Sequence, residues 1–421
     1  MKKLIYKTLC AVLCACVAAS SAALPAGAVG TLNKDSEICE GSVIKCGKTL
    51  VTLVNNFKKN KTRIYRSKLS GKGLKLVDKA EIYSDAQLYS VGDRVYYRKG
   101  EKLVGYKPKT GKKSGGVELD PDDEFKLKDK KGFLINVKGV CANGFVVEYR
   151  GEGLCLVDFE GNRTVISPKK DNVYIASADN YVFYYKAEKK KSSRYVCGVY
   201  RYEAGAGKAE KVSSFSTIKK PSAKPDFAFA YVGKKKLCFT AGTVSSGAFE
   251  GCLYSMNRDG GQLKTVKENT SGNITPGKGC GYISCADAKG NYFIYKLTED
   301  GKLKSKLKYT NGNYPLISYT TEKDSAVAIE VSRFNYGYNV YTLPKIKKAK
   351  GKKQFDADSR ITNKHTGNVL VSPTISGSAG DLVLLTYGIY SYGSDNSLEN
   401  VYDCETYLIN ARSGNKKLID R

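Results

Sequence analysis

Apolar and polar residues alternate along most of this chain, and no stretch keeps a helical period for three turns. One short hairpin recurs, in which an apolar pair, often ending in Tyr, precedes a polar turn with Gly and a further strand. Its eight copies begin at Ile64-Tyr65, Leu103-Val104, Leu154-Cys155, Val199-Tyr200, Leu253-Tyr254, Ile294-Tyr295, Val340-Tyr341 and Thr406-Tyr407. The pattern predicts an all-β protein made of antiparallel hairpins.

The copies follow one another at intervals of 39, 51, 45, 54, 41, 46 and 66 residues, which is the spacing of four-stranded propeller blades. A single hairpin of this kind cannot bury its apolar face, so neighbouring copies must stack. We therefore predict a β-propeller of four-stranded antiparallel blades, with eight blades and seven as the alternative. The predicted blades span residues 38–78, 79–119, 132–168, 171–214, 226–268, 272–309, 313–356 and 368–421. Two packed sandwiches would also give many short strands, but sandwich strands are not self-similar.

Hairpins such as LYSMNRDGG and IYKLTEDGK resemble those of secreted bacterial propellers of the broad TolB-like and dipeptidyl-peptidase N-domain kind. The resemblance covers nearly all of the chain after the leader, and it implies the fold. Without any Trp, the chain lacks the docking motifs of quinoprotein propellers and the Trp-Asp repeat dipeptide. No hydrolase domain accompanies the repeats, so the resemblance implies no peptidase activity.

Residues 1–28 are predicted to be a signal peptide. Lys2, Lys3 and Lys7 precede an apolar core at 9–23, and Ala26-Gly27-Ala28 offers a small-residue cleavage site. A lipoprotein with a modified Cys16 is the alternative. No later run approaches the roughly 20 apolar residues of a membrane span. We expect residues 30–421 to form one propeller domain that is secreted or associated with the cell surface.

The chain is strongly basic, with 70 Lys and Arg residues against 41 Asp and Glu, a formal net charge of +29. Lys supplies 57 of the bases and Arg only 13. Arg is the side chain suited to bidentate recognition of phosphate or guanine, whereas dispersed Lys gives looser attraction to anions. We expect an anionic glycan, wall polymer or protein as the partner of a monomer, and no specific nucleic-acid recognition.

The sequence contains little that suggests catalysis. It has no GxSxG elbow and no P-loop, and its only histidine, His365, lies in a predicted exposed turn. The acidic cluster Asp120, Asp122, Asp123 and Glu124 lacks the Gly of a calcium loop and is interpreted as a solvated connection. We expect no metal and no cofactor. Ten cysteines follow the leader, and Cys39–Cys46 and Cys280–Cys285 are the close pairs that a turn could bring together.

Long turns between the second and third strands of some blades carry the predicted binding site. In a propeller these turns open on one face, and long loops on a rigid scaffold often bind ligands. Rigid aromatic side chains next to Asn, Gly and Ser suit recognition, although the same tyrosines could simply pack between blades. The predicted ligand-binding residues are Phe334, Tyr336, Tyr338, Tyr390, Tyr392, Asp395 and Asn396, with Lys189, Lys190, Lys191 and Arg194 adding electrostatic attraction.

These observations predict a non-catalytic binding or adhesion protein. The alternative is a polysaccharide hydrolase or lyase that uses two carboxylates, because such chemistry needs no histidine. Sequence spacing cannot place two acids on different blades, so no pair is assigned to it.

Overall fold

The computed structural model describes residues 32–33, 38–56, 58–83, 86–121, 124–125, 128–129, 132–168, 171–218, 223–245, 248–270, 274–286, 292–309, 316–331, 337–347, 351–357, 359, 368–392 and 398–421. Within these ranges the chain forms strands and turns and contains no helix. The predicted signal peptide and His365 lie outside them. The fold is an eight-bladed β-propeller of four-stranded antiparallel blades, as the repeat predicted, and the seven-bladed alternative is not needed.

The contacts divide the chain into two compact units. The first contains residues up to Gly41, Tyr83–Ile274 and Gly279–Lys306, and the second contains Ser42–Ile82, Thr275–Lys278 and Leu307–Arg421. Blades 2 to 5 and most of blade 6 belong to the first unit, and blades 1, 7 and 8 belong to the second.

The first unit begins with two short strands, β1 (Leu32–Asn33) and β2 (Ile38–Gly41). The strands of its blades, in chain order, are as follows. Blade 2 contains β7 (Leu88–Val91), β8 (Arg94–Lys99), β9 (Lys102–Lys107) and β10 (Lys112–Glu118). A small hairpin follows, with β11 (Lys128–Asp129) and β12 (Gly132–Phe133). Blade 3 contains β13 (Ile135–Cys141), β14 (Gly144–Tyr149), β15 (Gly153–Asp158) and β16 (Arg163–Ser167).

Blade 4 contains β17 (Val173–Ala178), β18 (Tyr181–Lys191), β19 (Arg194–Glu203) and β20 (Ala209–Ser216). Blade 5 contains β21 (Phe227–Val232), β22 (Lys236–Ser245), β23 (Ala248–Asn257) and β24 (Lys264–Glu268). Blade 6 contains β25 (Ile274–Gly277), β26 (Cys280–Ala286), β27 (Tyr292–Thr298) and β28 (Leu303–Tyr309).

The second unit contains three blades. Blade 1 contains β3 (Val43–Cys46), β4 (Thr49–Asn56), β5 (Lys61–Lys68) and β6 (Lys75–Ala80). Blade 7 contains β29 (Leu316–Thr320), β30 (Ala326–Val331), β31 (Tyr338–Leu343) and β32 (Lys352–Phe355). Blade 8 contains β33 (Asn368–Ala379), β34 (Leu382–Tyr392), β35 (Leu398–Asn410) and β36 (Lys416–Asp420).

The predicted blade limits agree with these strands to within three residues, except at the starts of blades 1 and 2. Residues 38–41 were assigned to blade 1, but β2 pairs with β7 of blade 2, and β3 is the first strand of blade 1. Gly41, with a φ of 141°, separates the two strands. Local alternation of apolar residues cannot show which distant strand a segment will pair with, so this assignment was wrong.

The repeated residue pair occupies an equivalent position in six blades. In blades 1, 3, 4, 5, 7 and 8 the register between the third and fourth strands shifts between its two residues. Such a bulge increases the local twist of a strand pair. In three of these blades the repeat tyrosine also donates a 2.6 Å hydrogen bond to a glutamate of a central strand, namely Tyr200 to Glu188, Tyr341 to Glu330 and Tyr407 to Glu405. The Tyr of the repeat is therefore a structural residue.

Aromatic side chains fill the core between blades 4 and 5 of the first unit. Phe215 lies between the rings of Tyr185 and Tyr254, with ring centroids 5.3 and 4.4 Å away, and Phe239 packs beside Tyr254. All four belong to one buried cluster. This packing makes the two blades a rigid support for what projects from them.

The nine cysteines from Cys46 to Cys404 form no disulfide, and all of these nine but Cys46 are buried. Cys280 and Cys285 lie on the single strand β26 and form no bridge, and Cys46 is not bridged either. Burial raises the pKa of Cys155, Cys238 and Cys404 to about 11 and that of Cys197 to about 12. A thiol is nucleophilic only as the thiolate, so these cysteines act as small buried hydrophobic residues.

Candidate functional site

Blade 4 carries a two-stranded ribbon that extends past its first strand. β17 pairs with β18 only as far as Tyr185, opposite Val173, so the segment Lys186–Lys191 continues without it. This segment pairs with β19 as far as Lys191 opposite Arg194. The sequence KAEKKKSSRYVCG was predicted to be a long loop, but only Ser192 and Ser193 form the turn. We call residues 186–196 the blade 4 ribbon.

The basic residues of the ribbon are divided between its two faces. Lys189, Lys190 and Lys191 lie opposite Val196, Tyr195 and Arg194. Directly opposed residues share a face, and successive residues alternate between faces. Lys189, Lys191 and Arg194 therefore share one face, which we call the lysine face. On the other face the Lys190 ammonium lies 5.5 Å from the centre of the Tyr195 ring.

Carboxylates neutralise only part of this charge. Arg194 lies 3.5 Å from Glu268 at the end of β24 and donates a 3.1 Å hydrogen bond to the Thr217 carbonyl oxygen. Glu188, at the base of the ribbon, is occupied by Lys211 at 2.7 Å and by Tyr200, and both hydrogen bonds lower its pKa. In the part of the chain that the structure describes, no carboxylate pairs with the exposed Lys189, Lys190 or Lys191.

The pairing of Lys191 with Arg194 has an electrostatic cost. Like charges directly opposite each other in an antiparallel pair destabilise it, on a scale of roughly 0.2–1 kcal/mol per cross-strand pair. The contact between Arg194 and Glu268 neutralises only one of the two cations. An anion bound across the lysine face would neutralise both and remove their repulsion, so the arrangement favours a negatively charged ligand.

The predicted aromatic patch lies in the second unit, where blades 7 and 8 meet. Gly337 forms a parallel bridge with Val371 of β33, so the end of the blade 7 turn is held against blade 8. Tyr338 and Tyr390 are each only 7% exposed, and the Tyr387 hydroxyl donates a 3.1 Å hydrogen bond to the Tyr338 carbonyl oxygen.

The other predicted members of the patch lie at the end of the described ranges or outside them. Tyr392 ends β34, while Phe334, Tyr336, Asp395 and Asn396 lie outside the described residues. The structure thus holds Gly337 against β33 of blade 8, and it buries the two tyrosines whose side chains it describes. Ligand binding by this patch stays a prediction.

Three described acids bear on the alternative catalytic function. Asp120 accepts hydrogen bonds from the backbone N–H groups of Glu124 and Phe125, at 3.0 and 2.7 Å, and Glu124 pairs with Arg163. These acids therefore order their loop. Asp226 lies just before β21 and is exposed as a whole residue. Partial burial of its carboxyl group raises its pKa, and a hydrogen bond with Thr243 offsets part of this rise.

No metal-binding cluster accompanies these acids. Among the residues described, no group of three or more His, Cys, Asp or Glu side chains is arranged to hold a metal ion. Glu124 and Glu152 both pair with Arg163, at 2.7 and 3.8 Å, so these two carboxylates lie near each other on either side of a cation that holds them in an ion-pair network.

Sequence analysis missed Tyr195, Thr217 and Glu268, which position the basic residues of the ribbon. Tyr195 adjoins Arg194 in the sequence and could have been found from alternation. Glu268 comes from the outer strand of the next blade, and nothing in its local sequence indicates that contact.

Comparison with known proteins gives only distant likenesses. No protein-family model matches the chain, and no curated protein matches it. Among solved structures, Porphyromonas gingivalis dipeptidyl peptidase 4 is 8% identical with a TM-score of 0.46, over 86% of this chain and 59% of that one. A structure from an analysis of two prolyl endopeptidases is 13% identical with a TM-score of 0.44, over 89% and 56%. The β-propeller domain of the Trilobed protease from Pyrococcus furiosus is 11% identical with a TM-score of 0.39, over 93% and 98%.

This chain therefore spans less than two thirds of the length of the two peptidases. The predicted resemblance to propellers of this kind is confirmed as a generic one. The fold itself rests on the strand order given above. No helix in the described part of the chain is long and apolar enough to cross a membrane.

Proposed function

We propose that this propeller is a non-catalytic binding protein for an anionic polymer, and that the lysine face of the blade 4 ribbon is its main electrostatic contact. The observation that carries the proposal is Lys191 directly opposite Arg194, with Lys189 on the same face and no carboxylate of the described residues paired with either lysine. The formal net charge of +29 adds a long-range attraction to the same class of ligand.

The proposal includes a place of action outside the cytoplasm. Removal of residues 1–28 would leave a secreted or surface-associated protein, for which a glycan or a wall polymer is an accessible partner. N-terminal sequencing of exported protein should begin at Val29 or within a few residues of it. A lipid-modified Cys16 at the N-terminus would contradict this.

An array of neutral and anionic polysaccharides tests binding and catalysis together. The purified protein should be retained by acidic polymers and not by neutral ones, and it should release no oligosaccharide product. Retention by neutral polymers at high salt would contradict an electrostatic contact. Release of shortened polymer would support the alternative, a carboxylate-dependent polysaccharide hydrolase or lyase.

A matched pair of double variants assigns the contact. Lys189→Gln with Lys191→Gln removes two charges from the lysine face, whereas Lys75→Gln with Lys79→Gln removes two exposed charges from β6, the outer strand of blade 1. Both variants change the net charge equally. The proposal requires the first variant to lose retention by acidic polymers and the second to keep most of it.

A further inference from the structure

Two short strands near the start of the described chain lie along edges that blades normally leave open. β2 pairs antiparallel with β7 of blade 2 over four residues, with Cys39 opposite Ser90. β1 pairs parallel with β21 of blade 5 over two residues. Each is added outside the first strand of its blade, the strand nearest a propeller's central channel. Uncovered, such an edge presents unpaired N–H and C=O groups.

Glu40 adds a contact with a third blade of the same unit. Its Oε1 accepts a 2.7 Å hydrogen bond from the backbone N–H of Val140, in β13 of blade 3. A hydrogen bond to a charged carboxylate is stronger than one between neutral groups. Glu40 therefore anchors the segment to a fixed backbone donor.

The described attachments of this segment are the backbone pairing of β1 and β2 and the Glu40 carboxylate. Residues 32–41 read LNKDSEICEG, in which Leu32 and Ile38 are the only large apolar residues. Main-chain hydrogen bonds to a strand edge tolerate many sequences, which is how extended peptides bind by strand addition.

We propose that the edges of β7 and β21 that β2 and β1 cover, together with the Val140 N–H, form a binding site for an extended acidic peptide of a partner protein. In this structure β1 and β2 occupy these edges as the chain's own ligand, and the partner peptide displaces them. Glu40 identifies the preferred acidic position. This site shares no residue with the lysine face, so it can fail or succeed independently of polymer binding.

Weakening the chain's own segment should expose the site. A tethered segment acts at an effective concentration in the millimolar range, so a free peptide of equal strength competes poorly with it. Cys39→Pro with Glu40→Pro removes two successive N–H groups. Successive N–H groups point to opposite sides of a strand, so one of the two substitutions must remove a bond directed at β7.

The probe is a fluorescein-labelled peptide of residues 32–41 carrying Cys39→Ser, measured by fluorescence anisotropy. The double proline variant should bind it at least about tenfold more tightly than the wild-type protein does. A peptide that also carries Glu40→Gln should bind the variant about tenfold more weakly, since a hydrogen bond to a charged carboxylate is stronger than one to a neutral amide oxygen. Equal affinity of wild type and variant would overturn the proposal.

A redox lock tests the same site without weakening the fold. Antiparallel partners have Cα atoms about 4.5–5.5 Å apart, within the range that a disulfide bridges. In Ser90→Cys, the introduced thiol should oxidise with Cys39 and fix β2 on β7. The oxidised protein should not bind the probe at millimolar concentration, and reduction should restore binding.

The control variant, Ser90→Cys with Cys39→Ser, should bind the probe equally under both conditions. Failure of the Ser90→Cys disulfide to form, or equal binding by the oxidised and reduced proteins, would contradict the site. Retention by acidic polymers should be the same in all these variants, so a failure here is distinguishable from a failure of the proposed function.

Discussion

Asp420 holds the last blade to the first one, and its replacement is the most quantitative test of how the second unit is stabilised. The residue ends β36 of blade 8, and its side chain is only 2% exposed. It pairs with Arg63 of blade 1 and accepts hydrogen bonds from Tyr65 at 3.2 Å and from Asn56 at 3.0 Å. Blades 1 and 8 have no strand in common, so this polar cluster and the apolar contacts around Leu384 and Leu408 join them.

Asp420→Asn keeps the shape of the side chain and removes its charge. The Arg63 side chain is 19% exposed and would lose its counter-ion in a poorly solvated position. Removing one partner of a buried ion pair costs about 3–5 kcal/mol, and an amide that still accepts hydrogen bonds should place the loss near the lower limit. We expect a decrease of about 3 kcal/mol in the free energy of unfolding, measured with urea and circular dichroism.

Asp171→Asn is the matched control. Asp171 pairs with Lys224 at 2.9 Å, but its side chain is 67% exposed, and an exposed pair contributes at most about 1 kcal/mol. Asn also tolerates the positive φ of 70° at this position. If the two variants lost the same small free energy, the polar cluster would not join the blades as described.

Three further predictions concern thiols, a close backbone contact and the aromatic patch. The pKa of Cys197 is about 12 in the folded state against 9.0 for an unperturbed thiol, so above pH 9 ionisation favours the unfolded state. The contribution of Cys197 to the free energy of unfolding should therefore fall by up to about 1.4 kcal/mol per pH unit until pH 12. The urea midpoint of Cys197→Ala should decline less steeply between pH 9 and 11 than that of the wild type. Gly337→Ala should destabilise blade 7 in thermal unfolding, because φ is 147° and a Cβ would overlap the Val371 carbonyl oxygen, and full stability would contradict the bridge. Tyr338→Ala with Tyr390→Ala should cost several kcal/mol, since both rings are buried, and a folded variant with normal polymer binding would show that the patch is structural.

The fold could be predicted because its information is local and repeated. Each blade needs only alternation, a turn residue such as Gly144 and the apolar pair at the third strand, and these recur eight times. The partner of β2 could not be predicted, since pairing between Cys39 and Ser90 joins residues that have no common local pattern. Hairpin length was also misjudged at Lys189–Lys191, where charged residues suggested a loop and the structure continues the strand.

The candidate site was only partly accessible to sequence reasoning. The cluster of bases from Lys189 to Arg194 is visible in the sequence, and it was assigned a supporting role. Which bases share a face depends on the bulge between Ala187 and Lys189, which shifts the register and cannot be read from composition. Glu268, which limits the charge of Arg194, comes from a different blade.

The salt dependence of binding to an acidic polysaccharide tests the central claim most directly. Counter-ion release makes the logarithm of the binding constant fall linearly with the logarithm of salt concentration, by about 0.7–0.9 per neutralised charge on a nucleic-acid polyanion. Lys189→Gln with Lys191→Gln should therefore reduce the slope by about 1.5 relative to the wild type. Lys75→Gln with Lys79→Gln should leave it almost unchanged. Equal reductions in both variants would show that net charge alone attracts the polymer and would contradict a binding role for the lysine face.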